Sequence, residues 1–208
     1  MSILAFGRCF GTIALAALAF APAAPATAQE VTVQVQRNDS TFVVNAEFLV
    51  PATVTESWEV LIDFDNMSKI LSNVDASRIE NRNGNTFHVV QKSHVQAGLV
   101  PIYMDSVRQV ELTPPREIRS NLLKGNLKSS NFTTRVAEAG AQTRVSVEGT
   151  FVATGLAAAT LTVEAVTSQT KKQYEELRKE ILRRKNGGTP PCVVAKNCQP
   201  ASGQPASG

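Results

Sequence analysis

The sequence predicts an α+β fold: a curved antiparallel sheet wrapped on one long C-terminal helix, with two short helices after the first long strand. Three observations predict it. Between about Thr160 and Lys185, apolar residues recur at helical spacing, at Val163, Val166, Tyr174, Leu177 and Ile181, with Thr170 filling the gap. Upstream, nearly everything alternates apolar and polar residues with a period of two and is broken by frequent turns. A single apolar stripe roughly 39 Å long must lie on something, and strands joined by short turns supply an antiparallel sheet for it.

Taken in order, residues 1–28 read as a secretory signal peptide. Arg8 is a weak positive start, Cys9 to Phe20 is apolar, and Ala26-Thr27-Ala28 places small residues before Gln29. Pro22 and Pro25 interrupt the run, which is short for a spanning helix, although an uncleaved anchor is the alternative. Residues 29–185 form the folded domain. Val31, Val33 and Val35 mark a short strand, and a second runs from Thr41 to Val50 with Phe42, Val44, Ala46, Phe48 and Val50 on one face; Pro51 stops it. Thr53 and Glu56 have capping-box spacing and open the first of two short helices, about 54–62 and 66–71, separated by Asp63-Phe64-Asp65-Asn66. Strands follow at 75–82, 85–97, 101–112, 116–124, 129–138 and 143–153, and Asn83-Gly84 is a strong hairpin signal among their separators. The long helix ends at Asn186-Gly187-Gly188, with Pro190-Pro191 beyond. Residues 186–208 are rich in Pro, Gly and Ser, repeat Gln-Pro-Ala-Ser-Gly twice from Gln199, and are expected to be disordered.

Composition narrows the function. The chain of 208 residues is 43% hydrophobic and 19% charged, ordinary for a globular domain, with a net charge of +3. That balance, about +2 without Arg8, is too weak to argue for nucleic acid, and aromatic residues are few. Beyond the leader stand Cys192 and Cys198, which in an exported chain read as one disulfide closing a small loop, with free thiols or an intermolecular link as the alternative. His88 and His94 are the only histidines, roughly 20 Å apart on one strand, and cannot share a metal ion. No catalytic-triad, zinc-protease or phosphate-loop pattern occurs, and no cofactor is implied.

One stretch carries a resemblance. Phe48-Leu49-Val50-Pro51-Ala52-Thr53-Val54 leads into Ser57-Trp58-Glu59-Val60-Leu61-Ile62-Asp63-Phe64, and then Met67 through Leu71-Ser72-Asn73-Val74. With the element order, this pattern resembles the START-like, helix-grip superfamily, also labelled SRPBCC or polyketide cyclase/dehydrase, and within it the coenzyme Q-binding-like branch. The resemblance covers about residues 41–185. It implies a cavity between sheet and C-terminal helix that binds a hydrophobic or amphiphilic small molecule or lipid, quinone-like compounds included. Some members are cyclases or dehydratases; the resemblance carries over no catalytic residue.

Strand parity then names the site. Phe87, Val89, Gln91, Ser93 and Val95 share the inner face of their strand, as do Met104, Ser106, Arg108 and Val110 of the next, and Phe132, Thr134 and Val136 further on. With Val163, Val166, Thr170 and Tyr174 above, they outline a mostly apolar chamber, the composition of a lipid-like ligand site. A solid core would place the same residues inward. Arg108 discriminates: a buried guanidinium needs a structural partner, a ligand headgroup, or a bulge that turns it out to solvent. Tyr174 either packs under the sheet or serves a cyclase as proton donor. Lys171, Lys172, Arg178, Lys179, Arg183, Arg184 and Lys185 give the helix a basic end, either a solvated face or a peripheral contact for an anionic membrane. The functional expectation is an exported, periplasmic or secreted carrier of an apolar ligand. A polyketide cyclase or dehydratase is the alternative, and a closed-core envelope interaction domain the weaker one.

Overall fold

The structure, a computed structural model, describes residues 31–191. The leader, the Gln29 cleavage point, Cys192, Cys198 and the repeats fall outside them. Strands β1 (Thr32–Asn38) and β2 (Thr41–Val50) form a hairpin, followed by α1 (Val54–Leu61), a single 3₁₀ turn at Phe64–Asn66, and α2 (Met67–Ile70). A meander of six strands comes next: β3 (Val74–Asn83), β4 (Thr86–Ala97), β5 (Val100–Thr113), β6 (Glu117–Gly125), β7 (Ser129–Ala139) and β8 (Gln142–Val152). Two helices end the domain, α3 (Gly155–Thr160) and α4 (Val163–Lys185).

All pairings are antiparallel, in the order β1-β2-β8-β7-β6-β5-β4-β3. Among the described residues the one break in strand order follows β2, which passes the chain through α1 and α2 to the far edge and pairs with β8. The sheet is curved and grips α4, as expected. The predicted alternation holds in β2, where Phe42, Val44, Ala46, Phe48 and Val50 are all buried. The capping box at Thr53 and Glu56 is formed in both directions, with Thr53 N–H donating to Glu56 Oε2 at 2.7 Å. The Asp-Phe-Asp-Asn break ties the helices to β3: Asp65 Oδ1 accepts from Ile79 N–H at 2.7 Å, and Phe64 O accepts from Ser77 Oγ at 2.6 Å.

The helix expected from about Thr160 starts later. Leu161 is extended and fully buried between Phe42, Phe151 and Val166, and Thr162 caps α4 by accepting from Ala165 N–H at 3.1 Å. A threonine cap outcompetes helix continuation here, so α4 has 23 residues and is roughly 35 Å long. Its end is as expected: Gly187 takes φ +89°, and Gly188 N–H reaches back to Arg183 O at 2.9 Å.

The basic end of α4 is used within the fold. Arg183 and Arg184 both donate to Glu180 at 2.7 Å, Arg184 also pairs with Asp63 at 2.6 Å, Arg178 donates to Leu49 O, and Lys185 to Pro51 O. These contacts fix the helix over β2 and α1. Two apolar clusters result. The larger holds Trp58, Leu61, Phe64 and Leu177 under α1 and the C-terminal half of α4; the smaller holds Phe42, Ile102, Phe151, Leu161 and Val166 under α3. Phe132 packs against both, and the space beside it is not filled.

Candidate functional site

Between the two clusters lies a cavity of about 290 Å³. A second lobe of about 160 Å³ continues beneath it toward α1 and α2. The lower lobe is walled by Leu61, Phe64, Met67, Leu71, Val110, Ile118 and Leu177. Both lobes share Gln91, Arg108, Ser120, Thr134, Gln173 and Tyr174, so a polar waist divides two apolar spaces.

Most of the residues expected from strand parity lie on this surface. Gln91, Met104, Ser106, Arg108, Phe132, Thr134, Val166, Thr170 and Tyr174 line the main cavity, and Val89 lines the lower lobe. Phe87 and Val163 do not. Phe87 is one pair further along β4 and packs against Phe64, ring centroids 6.0 Å apart. Val163 sits in the first turn of α4, a full turn short of Val166, because the helix begins there. Cys192 and Cys198, expected as a disulfide, lie outside the described residues.

Arg108 is held inside. The register of β5 against β6 slips between Val107 and Arg108, but the extra residue is Leu123 on β6. The alternation of β5 is therefore unbroken, and Met104, Ser106, Arg108 and Val110 stay on one face; the outward-turning bulge does not occur. Arg108 Nε donates to Ser120 Oγ at 2.6 Å, Nη1 to Ser130 Oγ at 3.1 Å, and Nη2 to the carbonyls of Ser120 and Ser130 at 3.1 and 3.5 Å. The guanidinium also lies 6.0 Å from the Phe132 ring centroid. All these partners are neutral. Burial lowers its pKa to about 10, with no carboxylate opposing the shift, so it remains a cation at neutral pH. Asp105, the acidic residue on the cavity wall, is exposed and forms no ion pair with Arg108 among the described residues.

Opposite, α4 presents Gln169, Thr170, Gln173 and Tyr174. Tyr174 is buried against Phe48, and burial raises its phenol pKa, so it stays protonated. Ser93, expected on the inner face, lines the cavity, and Asn73, Gln169, Gln173 and Ser130 line it without having been among the residues expected there. Ser130 shares the parity of Phe132 and was within reach of the same argument. Gln169 and Gln173 recur at a spacing of four beside the apolar stripe, a weaker signal, since glutamines at a stripe edge usually meet solvent.

Comparisons with known proteins agree with this architecture. No curated protein matches the chain. Among solved structures, TTHA0849 from Thermus thermophilus superposes with a TM-score of 0.60 at 16% identity, over 68% of this chain and 98% of that one. A STAR-related lipid transfer protein from Xanthomonas axonopodis gives 0.59 at 12% identity, covering 77% and 97%. The Zhui aromatase/cyclase from Streptomyces sp. R1128 gives 0.53 at 21% identity, covering 72% and 99%. At such identities the structures establish the fold. The family model for polyketide cyclase / dehydrase and lipid transport matches residues 41–181, the span from β2 to the last buried turn of α4, and the chain belongs to that family.

Proposed function

We propose that this protein binds and carries an amphiphilic small molecule with an apolar body and an anionic end, and does so outside the cytoplasm. One observation carries the ligand reading: a guanidinium inside an apolar cavity whose partners are all neutral oxygens. A structural arginine in such a place is ordinarily paired with a carboxylate, because an uncompensated buried charge is costly. Here Ser120 and Ser130 fix the fork while its charge remains unbalanced, which suits a carboxylate or phosphate arriving with the ligand. The apolar body then fills the lobes around the waist. Carriage is favoured over cyclisation because burial raises the Tyr174 phenol pKa, which makes it a weak proton donor, and Asp105, the carboxylate on the cavity wall, is exposed to solvent. Export rests on the apolar leader and Ala26-Thr27-Ala28.

Arg108→Met tests the reading by calorimetric titration with a fatty acid and the matching alcohol. The acid should lose roughly 1.5–3 kcal/mol of binding free energy, the scale of a charged hydrogen bond, and the alcohol almost none. The variant should melt at or above the wild type, since replacing an unpaired buried charge by an apolar chain is neutral or stabilising. Equal loss for acid and alcohol, or no loss for either, would exclude Arg108 as the anchor.

A further inference from the structure

Two residues of the cavity wall each carry a buried polar atom without a hydrogen-bond partner. Asn73, which links α2 to β3, is 7% exposed, and its Oδ1 is buried without a hydrogen bond. Gln169, on α4, has its Nε2 buried and equally unpaired. One is an acceptor and the other a donor, both residues line the main lobe, and they are not bonded to each other; both atoms are covered by the wall, so a turn of each side chain brings them to a ligand. Buried groups of this kind are rare because each forgoes its hydrogen bond to water.

Their place differs from that of the arginine. Arg108 reaches away from β4 toward Ser120 and Ser130 on β6 and β7. Asn73 belongs to the opposite edge, where its carbonyl accepts from His94 N–H at 2.9 Å and the neighbouring Ser72 N–H donates to Glu176 of α4 at 2.9 Å. From the β6–β7 pair to the β3 edge is three to four strand spacings, roughly 14–19 Å along the sheet. A cavity of about 290 Å³ holds about ten water-sized groups at roughly 30 Å³ each, enough for a short body between the two places.

We infer that Asn73 and Gln169 form a second polar subsite, which takes an uncharged group able to donate to Asn73 Oδ1 and accept from Gln169 Nε2, such as a hydroxyl. This deepens the amphiphile reading and rests on it: the ligand is polar at both ends, anionic at Arg108 and hydroxylated at Asn73 and Gln169. A plain hydrocarbon terminus would bury both amide groups unpaired and bind less well.

The test is calorimetric titration of the full folded domain with straight-chain fatty acids from hexanoic to tetradecanoic, each with and without an ω-hydroxyl. Wild type should prefer the hydroxylated acid by about tenfold or more at the best chain length, the worth of one satisfied buried pair. In Asn73→Leu/Gln169→Met the preference should collapse while the plain acid still binds. Gln169→Met alone keeps side-chain length and helix propensity, and should lose part of the preference if the double variant does not fold. Arg108→Met should weaken both acids alike and leave the preference intact. Equal affinities across the wild-type series, with acids bound, would overturn the subsite and leave the amphiphile reading standing. A preference that survives in Gln169→Met and the double variant would also overturn it. Binding of no acid at any length would overturn both.

Discussion

Gly149 shows how single residues shape the cavity. It falls on the inner face of β8 between Val147 and Phe151, and it pairs with Phe132 across the ladder. A Cβ there would stand 2.2 Å from the Phe132 ring and 2.6 Å from Asn131 O, so the ring occupies the space that a side chain would need. Gly149→Ala is therefore expected to destabilise the domain by about 1–3 kcal/mol through overpacking and to push Phe132 toward the cavity. Urea unfolding and the fatty-acid titration would both register it; unchanged values would mean that the ring has another place to go. The glycine was a legible signal, since a lone Gly inside a strand marks a close approach. What approaches was not legible, because the pairing of Phe132 with Gly149 depends on the β7–β8 register. Arg108 was legible as an anomaly from parity alone. Its partners were not, since Ser120 and Ser130 become neighbours only when three strands assemble.

At the scale of elements, α4 is anchored at one end and lines the cavity with the other. Glu180, almost fully buried, accepts from Arg183 and Arg184, and Arg184 continues to Asp63 beside α1. Hydrogen bonds first from Arg183 and then from Arg184 hold the Glu180 carboxyl below its ordinary value of 4.5. A carboxylate with a depressed folded pKa contributes stability fully above its unfolded value and loses it as pH falls through the folded one. Wild-type stability should thus decline below about pH 4.5. Glu180→Gln should be about 1–2 kcal/mol less stable at neutral pH and have a flatter acid limb. Chemical denaturation from pH 3 to pH 7 would check it; parallel acid limbs would remove Glu180 from the anchor. The stripe that defines α4 was plain in the sequence. The break at Leu161 and Thr162 was not, because Leu161 continues the apolar content, and its extended backbone reflects tertiary burial together with the Thr162 cap.

On the scale of the molecule, the proposed carrier should retain cargo. Native mass spectrometry of protein recovered from the exported fraction is expected to show a chain beginning at Gln29 with a noncovalent apolar or amphiphilic adduct. Met1 retained in that fraction would refute processing, and a chain that stays empty after lipid incubation would refute carriage. The fold as a whole was readable because one periodicity fills the sheet and another the helix. The cavity was less so, because inward-facing apolar residues describe a filled core equally well, and only volumes separate the two. The pairing of β2 with β8 has one more consequence. Its partners lie about a hundred residues apart in the chain, so the sheet cannot close around the helix until the C-terminal third has emerged. Such nonlocal closure makes folding slow. A nascent chain that still lacks β8 therefore leaves one edge of β2 without its partner, and the domain completes its sheet only after synthesis has passed Val152.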